Sequence, residues 1–467
     1  MLLSNLHPAR LALLILAVMC PVSAHAAADA QVADAVQRND AAAVAALLAA
    51  GADVNAPQPD GATALHWAVH REAVDLAGRL VAAGARVDTA NDLGVSALAI
   101  ACRNGSVSMV DLLLDRGATV TAAEPSGETA LMTCARIGIA RSVQRLLAAG
   151  ADVHAREDAS GQTALMWAAA GGHTAAVRVL LASGADVHAR STGVFTPLLF
   201  AARAGAVEAA RLLVEAGADV NVTLDTGHSP LLVAAASVDA ITGSDYRLVV
   251  EASEHEALGA FLLERGADPN QADQYGMTPL HYAVEMRKPA LLRALLAHDA
   301  DPNRQLTAGL PFRRGDYVGR GAYNGATPFW LAARLGDVET MRVLVDSGAD
   351  LHLPATRGVT PFLVASGLTQ SDSRMVPEAQ LLEAVRMLVL ERGVDVHEVD
   401  AGGQTAVHGA ANVSGNDIIR FLVEQGADPM AADGRGRTPH DVATRTLRPR
   451  PITAALLLEL AGQTGAP

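Results

Sequence analysis

The stretch GQTALMWAAAGGHTAAVRVLLASGADVHARSTG, residues 161–193, decides the fold, because most of the chain up to residue 440 repeats it. Thr163 stands where a helix begins, with a hydroxyl able to accept from an orphan N–H of the first turn. Other copies put proline next, at Pro197, Pro230, Pro279, Pro328, Pro361 and Pro439, a position where no N–H is needed and φ is already helical. Leu165, Ala168 and Ala169 follow at helical spacing and form a face of mostly alanine, which lets neighbouring helices approach closely. Gly171-Gly172 interrupts that helix. Val177, Leu180 and Leu181 mark a second one, and Gly184 ends it in the left-handed conformation of a C-cap. Such a pair cannot bury its own apolar face, so it must stack on a neighbour.

Copies open at Thr63, Ser96, Thr129, Thr163, Thr196, Ser229, Thr278, Thr327, Thr360, Thr405 and Thr438, at intervals of 33, 33, 34, 33, 33, 49, 49, 33, 45 and 33 residues. A period near 33 residues with a T-[PA]-L opening and a G-A-D-V-[NH] close resembles the ankyrin repeat family. The expected fold is therefore all-α: an ankyrin-repeat solenoid of about 11–12 helix-turn-helix units, joined by short β-turn or hairpin connections and broken by three insertions.

Residues 1–26 read as a secretory signal peptide, with Arg10 before the apolar run Leu11–Met19 and a small-x-small site at Ala24-His25-Ala26, so cleavage is expected after Ala26. The run is too short to remain as a membrane span. The repeat domain is then 27–467: an N-terminal capping repeat at 27–60, regular repeats at 61–226, insertion-bearing repeats at 227–402, and the last repeats with a C-terminal cap at 403–467. In the capping repeat the short first helix, with Asp34, Gln37 and Arg38, is the one expected to face water. A final helix is expected from Ala454 to Ala461.

The insertions fall near 239–256, 304–324 and 367–380. The first and third lie between the two helices of a repeat, the second in a turn between repeats. All five tyrosines (Tyr246, Tyr275, Tyr282, Tyr317, Tyr323) belong to the repeats that carry the first two, in a chain only 3% aromatic. Phe312, Phe329, Trp330 and Phe362 lie close by. Long loops are uncommon and often functional, and Tyr, Trp and Arg are enriched where partners bind. The candidate contacts are Arg313, Arg314, Asp316, Tyr317, Arg320, Tyr323 and Tyr246, with Trp330 as the floor of a pocket that the insertions wall off. These rings serve equally well to pack the insertions onto the stack.

Composition narrows the function. A net charge of −14 and the absence of a basic face argue against nucleic acid. Lys288 is the only lysine, and this bias toward arginine fits a GC-rich bacterial genome and, with the leader, a periplasm. After cleavage Cys102 and Cys134 remain. They fall in the first helices of consecutive repeats, whose axes lie roughly 8–10 Å apart, and that spacing predicts two unpaired buried thiols. His66, His281 and His408 are structural in the resembled family, bonding across the repeat turn. His154, His188, His352 and His397 replace the Asn of GADVN and are expected to tie down the turn; as zinc ligands they lie too far apart. No nucleophile elbow, P-loop or zinc motif is present, so no catalytic residue, metal or cofactor is assigned.

The resemblance implies a monomeric periplasmic or secreted scaffold that binds a protein through its concave face and inserted loops. Some secreted bacterial relatives support peroxide-defence enzymes, which suggests a periplasmic enzyme or an envelope complex as partner. The alternatives are a small-ligand site or enzyme enclosed around Trp330, and a plain structural spacer.

Overall fold

The computed structural model describes residues 30–236, 252–308, 323–370, 376–445 and 449–464. The chain divides into two compact units, one of residues 1–130 with 148–151, the other of residues 131–147 with 152–467. Both consist of paired helices, and the described residues contain no strand, only isolated antiparallel bridges such as Ala90–Ser96 and Ala355–Val359. No helix among them is long and apolar enough to cross a membrane.

The repeat behaves as its sequence dictates. Thr163 caps the helix Ala164–Ala170, its hydroxyl accepting from the Met166 N–H at 3.4 Å. Leu165, Ala168, Ala169, Val177 and Leu180 are all fully buried. Leu181 is half-buried, one position off the face that meets the next repeat. Three openings close a reciprocal cap through histidine. In the Thr63 repeat the Thr63 N–H donates to His66 Nδ1 at 3.0 Å, while His66 Nε2 lies 3.2 Å from the Val95 carbonyl in the following turn. Nε2 is therefore the protonated nitrogen. His408 repeats this geometry, with Nε2 2.9 Å from the Arg437 carbonyl.

Between repeats the chain makes a tight hairpin that is tied to the hairpin before it. In the regular case the Asn91 N–H donates to Val95 O and the Gly94 N–H to Asn91 O, so that only Asp92 and Leu93 form the tip. The Asp92 N–H then reaches Asp60 O of the preceding hairpin. The same rung recurs at Thr192–Ser160, Gln274–Thr226, Ala401–Arg357 and Gly434–Gly402. A second tie comes from asparagine: Asn303 donates to Gly348 O at 3.0 Å and accepts from the Asp350 N–H at 2.7 Å. Asn55, Asn221 and Asn270 do the same. The histidines that replace Asn do not: among the described residues the side chains of His154 and His188 make no such clamp, and His352 pairs instead with Glu398. An imidazole at that position lacks the paired donor and acceptor of the amide.

Two further expectations change. In the N-terminal repeat the water-facing helix is the second, Ala41–Ala49, which buries only Val44; the first, Gln31–Gln37, buries Val32, Ala33, Ala35 and Val36. Its polar residues lie on one side of a helix whose other side is core. The last helix is longer than its apolar run, Pro451–Thr464.

Candidate partner-binding surface

The second insertion is built into a hairpin tip. Its two ends make the regular hairpin bonds, the Leu306 N–H to Ala326 O and the Gly325 N–H to Leu306 O. The inter-repeat rungs also survive: the Thr307 N–H donates to Tyr275 O, and the Thr356 N–H to Asn324 O. Thr307 and Asn324 thus occupy the two tip positions held by Asp92 and Leu93, and the excursion departs between them. Gly325 must be glycine here, because at φ 82° a Cβ would also press within 3.2 Å of the Ala355 and Pro354 backbone. The sequence reading placed this insertion in the inter-repeat turn, as found.

The near end of this excursion is held by Arg334, the last residue of the helix Pro328–Arg334. The Tyr323 ring meets Trp330 edge-on at 5.8 Å and lies 5.4 Å from the Arg334 guanidinium. The same guanidinium reaches both oxygens of Glu285 at 2.8 and 3.0 Å, in an ion pair whose side chains are 11% and 4% exposed. The third excursion arrives at the same residue: Gln370 Nε2 donates to Arg334 O at 2.9 Å, and Asn412 Nδ2 donates to Gln370 O. The first excursion leaves the short helix Pro230–Ala235 at Ala236. There Lys288 Nζ, buried three residues beyond Glu285, donates to Ala234 O at 2.8 Å. Burial pulls the Lys288 amine down to about 8, with Glu256 opposing. Glu256 in turn accepts from the Leu291 N–H at the start of the helix Pro289–Ala297. One polar seam, Glu285, Arg334, Tyr323, Gln370 and Asn412, therefore carries a described end of the second and third excursions, while the described start of the first is held separately by Lys288.

Of the residues expected at the site, Tyr246, Arg313, Arg314, Asp316, Tyr317 and Arg320 lie outside the described residues. Tyr323 lies on the seam. Trp330 is fully buried, with its Nε1 donating to Val359 O at 2.9 Å. It stands three residues after Thr327, where other repeats carry His66, His281 and His408, and its indole N–H makes the bond to the following turn that Nε2 makes in His66 and His408. The sequence did not flag Arg334, Glu285, Gln370 or Asn412. The first two occupy the same place in their repeats, seven residues after the opening threonine, and an arginine opposite a glutamate at equivalent positions was the available signal.

Among the described residues no cluster of three potential metal ligands occurs. His281 is fully buried, and burial draws it down to about 4. The carbonyls of Ala326 and Arg304 pull the other way, but neither closes a hydrogen bond on Nε2.

Cys102 and Cys134 are both disulfide-bonded and fully buried, which corrects the expectation of unpaired thiols. The axis spacing behind that expectation overstates the distance between facing residues, since small side chains let Cα atoms approach more closely than helix axes do.

Comparison with known proteins gives the following. A model described as "Ankyrin repeats (3 copies)" matches residues 32–124, 120–191 and 247–306, and one described as "Ankyrin repeat" matches 195–224, 324–355 and 402–434. The chain is 29% identical over 183 residues to the B-cell lymphoma 3 protein homolog of Mus musculus, covering 39% of this chain and 36% of that protein. It is 27% identical over 188 residues to a putative ankyrin repeat protein of Fowlpox virus, covering 40% and 85%. It is 33% identical over 231 residues to mouse ankyrin repeat and SOCS box protein 16, covering 47% of each. The crystal structure of the ankyrin repeat domain of Bcl-3 aligns with a TM-score of 0.39 at 29% identity, covering 44% of this chain and 93% of that one.

Proposed function

Because this chain belongs to the ankyrin repeat family, we propose that it is a protein-binding scaffold whose partner is gripped by the excursion-bearing repeats, in the periplasm or outside the cell. The observation that carries the reading is the meeting of the second and third excursions on Arg334. A stack that needed only to be long has no reason to gather two interruptions on one seam, or to hold them with a desolvated ion pair, which is costly to bury. The seam is a base for Tyr323, and the partner contacts of this reading are Tyr323, Tyr246 and the arginine-rich run from Arg313 to Arg320. Trp330 acts from beneath by fixing Tyr323.

Location is supported by the leader-like residues 1–26 and by chemistry. Disulfides persist in oxidising compartments and are rare in a reducing cytosol, and both remaining cysteines are oxidised here. A periplasmic enzyme or envelope complex is the class of client that fits.

The hairpin geometry supplies a clean test. Excising residues 308–323 joins Thr307 to Asn324 and restores a two-residue tip followed by Gly325 in the left-handed conformation, the order found at Asp92, Leu93 and Gly94. The excised protein is expected to keep its helical circular dichroism and to lose the partner that the intact chain captures from periplasmic extract. Retention of that partner at equal yield would refute the assignment.

A further inference from the structure

The Thr360, Thr405 and Thr438 repeats enclose a cleft of about 340 Å³, lined among others by Arg357, Thr369, Gln404, Asn412, Arg437 and Arg445. Gly409 holds the position that Trp67, Trp167, Phe200 and Tyr282 fill in other repeats, one place after the residue three beyond the opening Thr. The backbone of Gly367 and Leu368 crosses over it so closely that a Cβ on Gly409 would lie 2.6 Å from Leu368 N and 3.0 Å from Ser366 O. Backbone thus stands where those repeats carry a ring, and Leu368, part of that backbone, lines the cleft, whose volume is at the lower end of the size range of small-ligand sites, roughly 300–1,000 Å³.

The charge in the recess is unbalanced in a specific way. Its two acids are already engaged. Asp400 Oδ1 accepts from the Gly402 and Gln404 N–H groups, each at 2.8 Å. Asp441 accepts from the Thr438 N–H at 3.1 Å and holds Arg445 at 3.1 Å. Arg437 is tied through Nε to Asp433 at 2.9 Å, yet its side chain stays 44% exposed and that of Arg445 75% exposed. The Arg357 side chain is exposed and makes no hydrogen bond or ion pair with a described residue. The neutral lining is rich in donors, through the Gln404 and Asn412 amides. Thr369 Oγ1 is buried with no hydrogen-bond partner, on a backbone held at φ 68°, where a β-branched residue is rarely found. His408 adds no charge near neutral pH: burial lowers its pKa, and its Nε2–H is spent on Arg437 O. A recess with an idle guanidinium, spare N–H groups and engaged carboxylates calls for an acceptor-only ligand, and guanidinium forks match carboxylates bidentately.

We propose that this cleft binds a carboxylate of a partner polypeptide, an acidic side chain or a chain end, with Arg357 as its main contact and Arg437 and Arg445 flanking it. The choice of a polypeptide over a free small acid rests on the scaffold reading above. The test is calorimetric titration of the full chain, at low salt, with a terminally blocked tetraglutamate peptide, its tetraglutamine counterpart and succinate. Tetraglutamate is expected to bind the wild type and Arg435→Ala alike, Arg435 being exposed and outside the lining. It should bind Arg357→Ala at least about tenfold more weakly, the loss expected for one charged hydrogen-bonded contact, with Arg357→Lys between. Tetraglutamine should not bind. No binding of tetraglutamate, or equal affinity in Arg357→Ala, would overturn the proposal, and so would binding of succinate without the peptide. The chain lacking 308–323 should keep its tetraglutamate affinity, so failure here is distinct from failure of the excursions to grip a partner.

Discussion

Replacing Arg334 by methionine is the sharpest perturbation of the seam. Its guanidinium lies 2.8 Å from a Glu285 carboxylate whose side chain is 4% exposed. Removing it strands that carboxylate away from water, which costs about 3–5 kcal/mol. Loss of the Tyr323 contact at 5.4 Å adds about 0.5–1 kcal/mol. Against a typical domain stability of roughly 5–15 kcal/mol this is a large fraction. Urea unfolding followed by far-ultraviolet circular dichroism, with Trp330 fluorescence as a local reporter in a background where Trp67 and Trp167 are phenylalanine, reads it directly. The double variant Arg334→Met/Glu285→Leu removes both charges and should recover most of the loss, leaving a coupling energy of about 2–3 kcal/mol. A single-variant cost below about 1 kcal/mol, the value of a solvated surface pair, would show that the seam is wet and that the excursions share no rigid base.

Three other outcomes are expected. Because burial holds His281 at about 4 against 6.5 for an ordinary imidazole, the unfolded chain binds more protons between those values. Its contribution is therefore complete above pH 6.5 and lost as pH falls toward 4, by up to about 1.4 kcal/mol per pH unit; thermal melts across that window should be flatter in His281→Asn. Gly409→Ala should destabilise by about 1–3 kcal/mol, since its Cβ meets backbone at 2.6 Å and overpacking forces a shift; unchanged urea unfolding would refute this. Trp330→Phe should cost about 0.5–1.5 kcal/mol by removing one of the two hydrogen bonds to the Val359 carbonyl, which keeps the one from the Ala355 N–H, and a neutral result would remove the indole's structural role.

What the sequence disclosed and what it withheld divide along a physical line. Local rules were readable: a threonine cap, proline at the first helical position, glycine at each hairpin, and an apolar face at helical spacing are all set by residues within one repeat. The histidine caps at His66 and His408 were readable for the same reason. Trp330 was harder, because an aromatic in an unusual repeat suggests a binding surface, whereas its place at the histidine position, bonded to the following turn, appears only when repeats are aligned on their threonines. The Arg334–Glu285 pair and the docking of Gln370 cross from one repeat to the next, over sequence separations of 49 and 36 residues, and no local pattern encodes them. The cysteines were misjudged because helix axes, rather than facing Cα atoms, were used as the ruler.

The central claim is that a stack of hairpin-linked repeats carries excursions that touch the partner. Photo-crosslinking in the native cell envelope tests it most directly, with a benzophenone-bearing phenylalanine analogue placed at Tyr323 or at Leu93. Leu93 is the matched control, since it sits at a regular hairpin tip and is 74% exposed. The account predicts one discrete protein adduct from position 323 and none from position 93. Equal adducts from both positions, or none from 323, would contradict it.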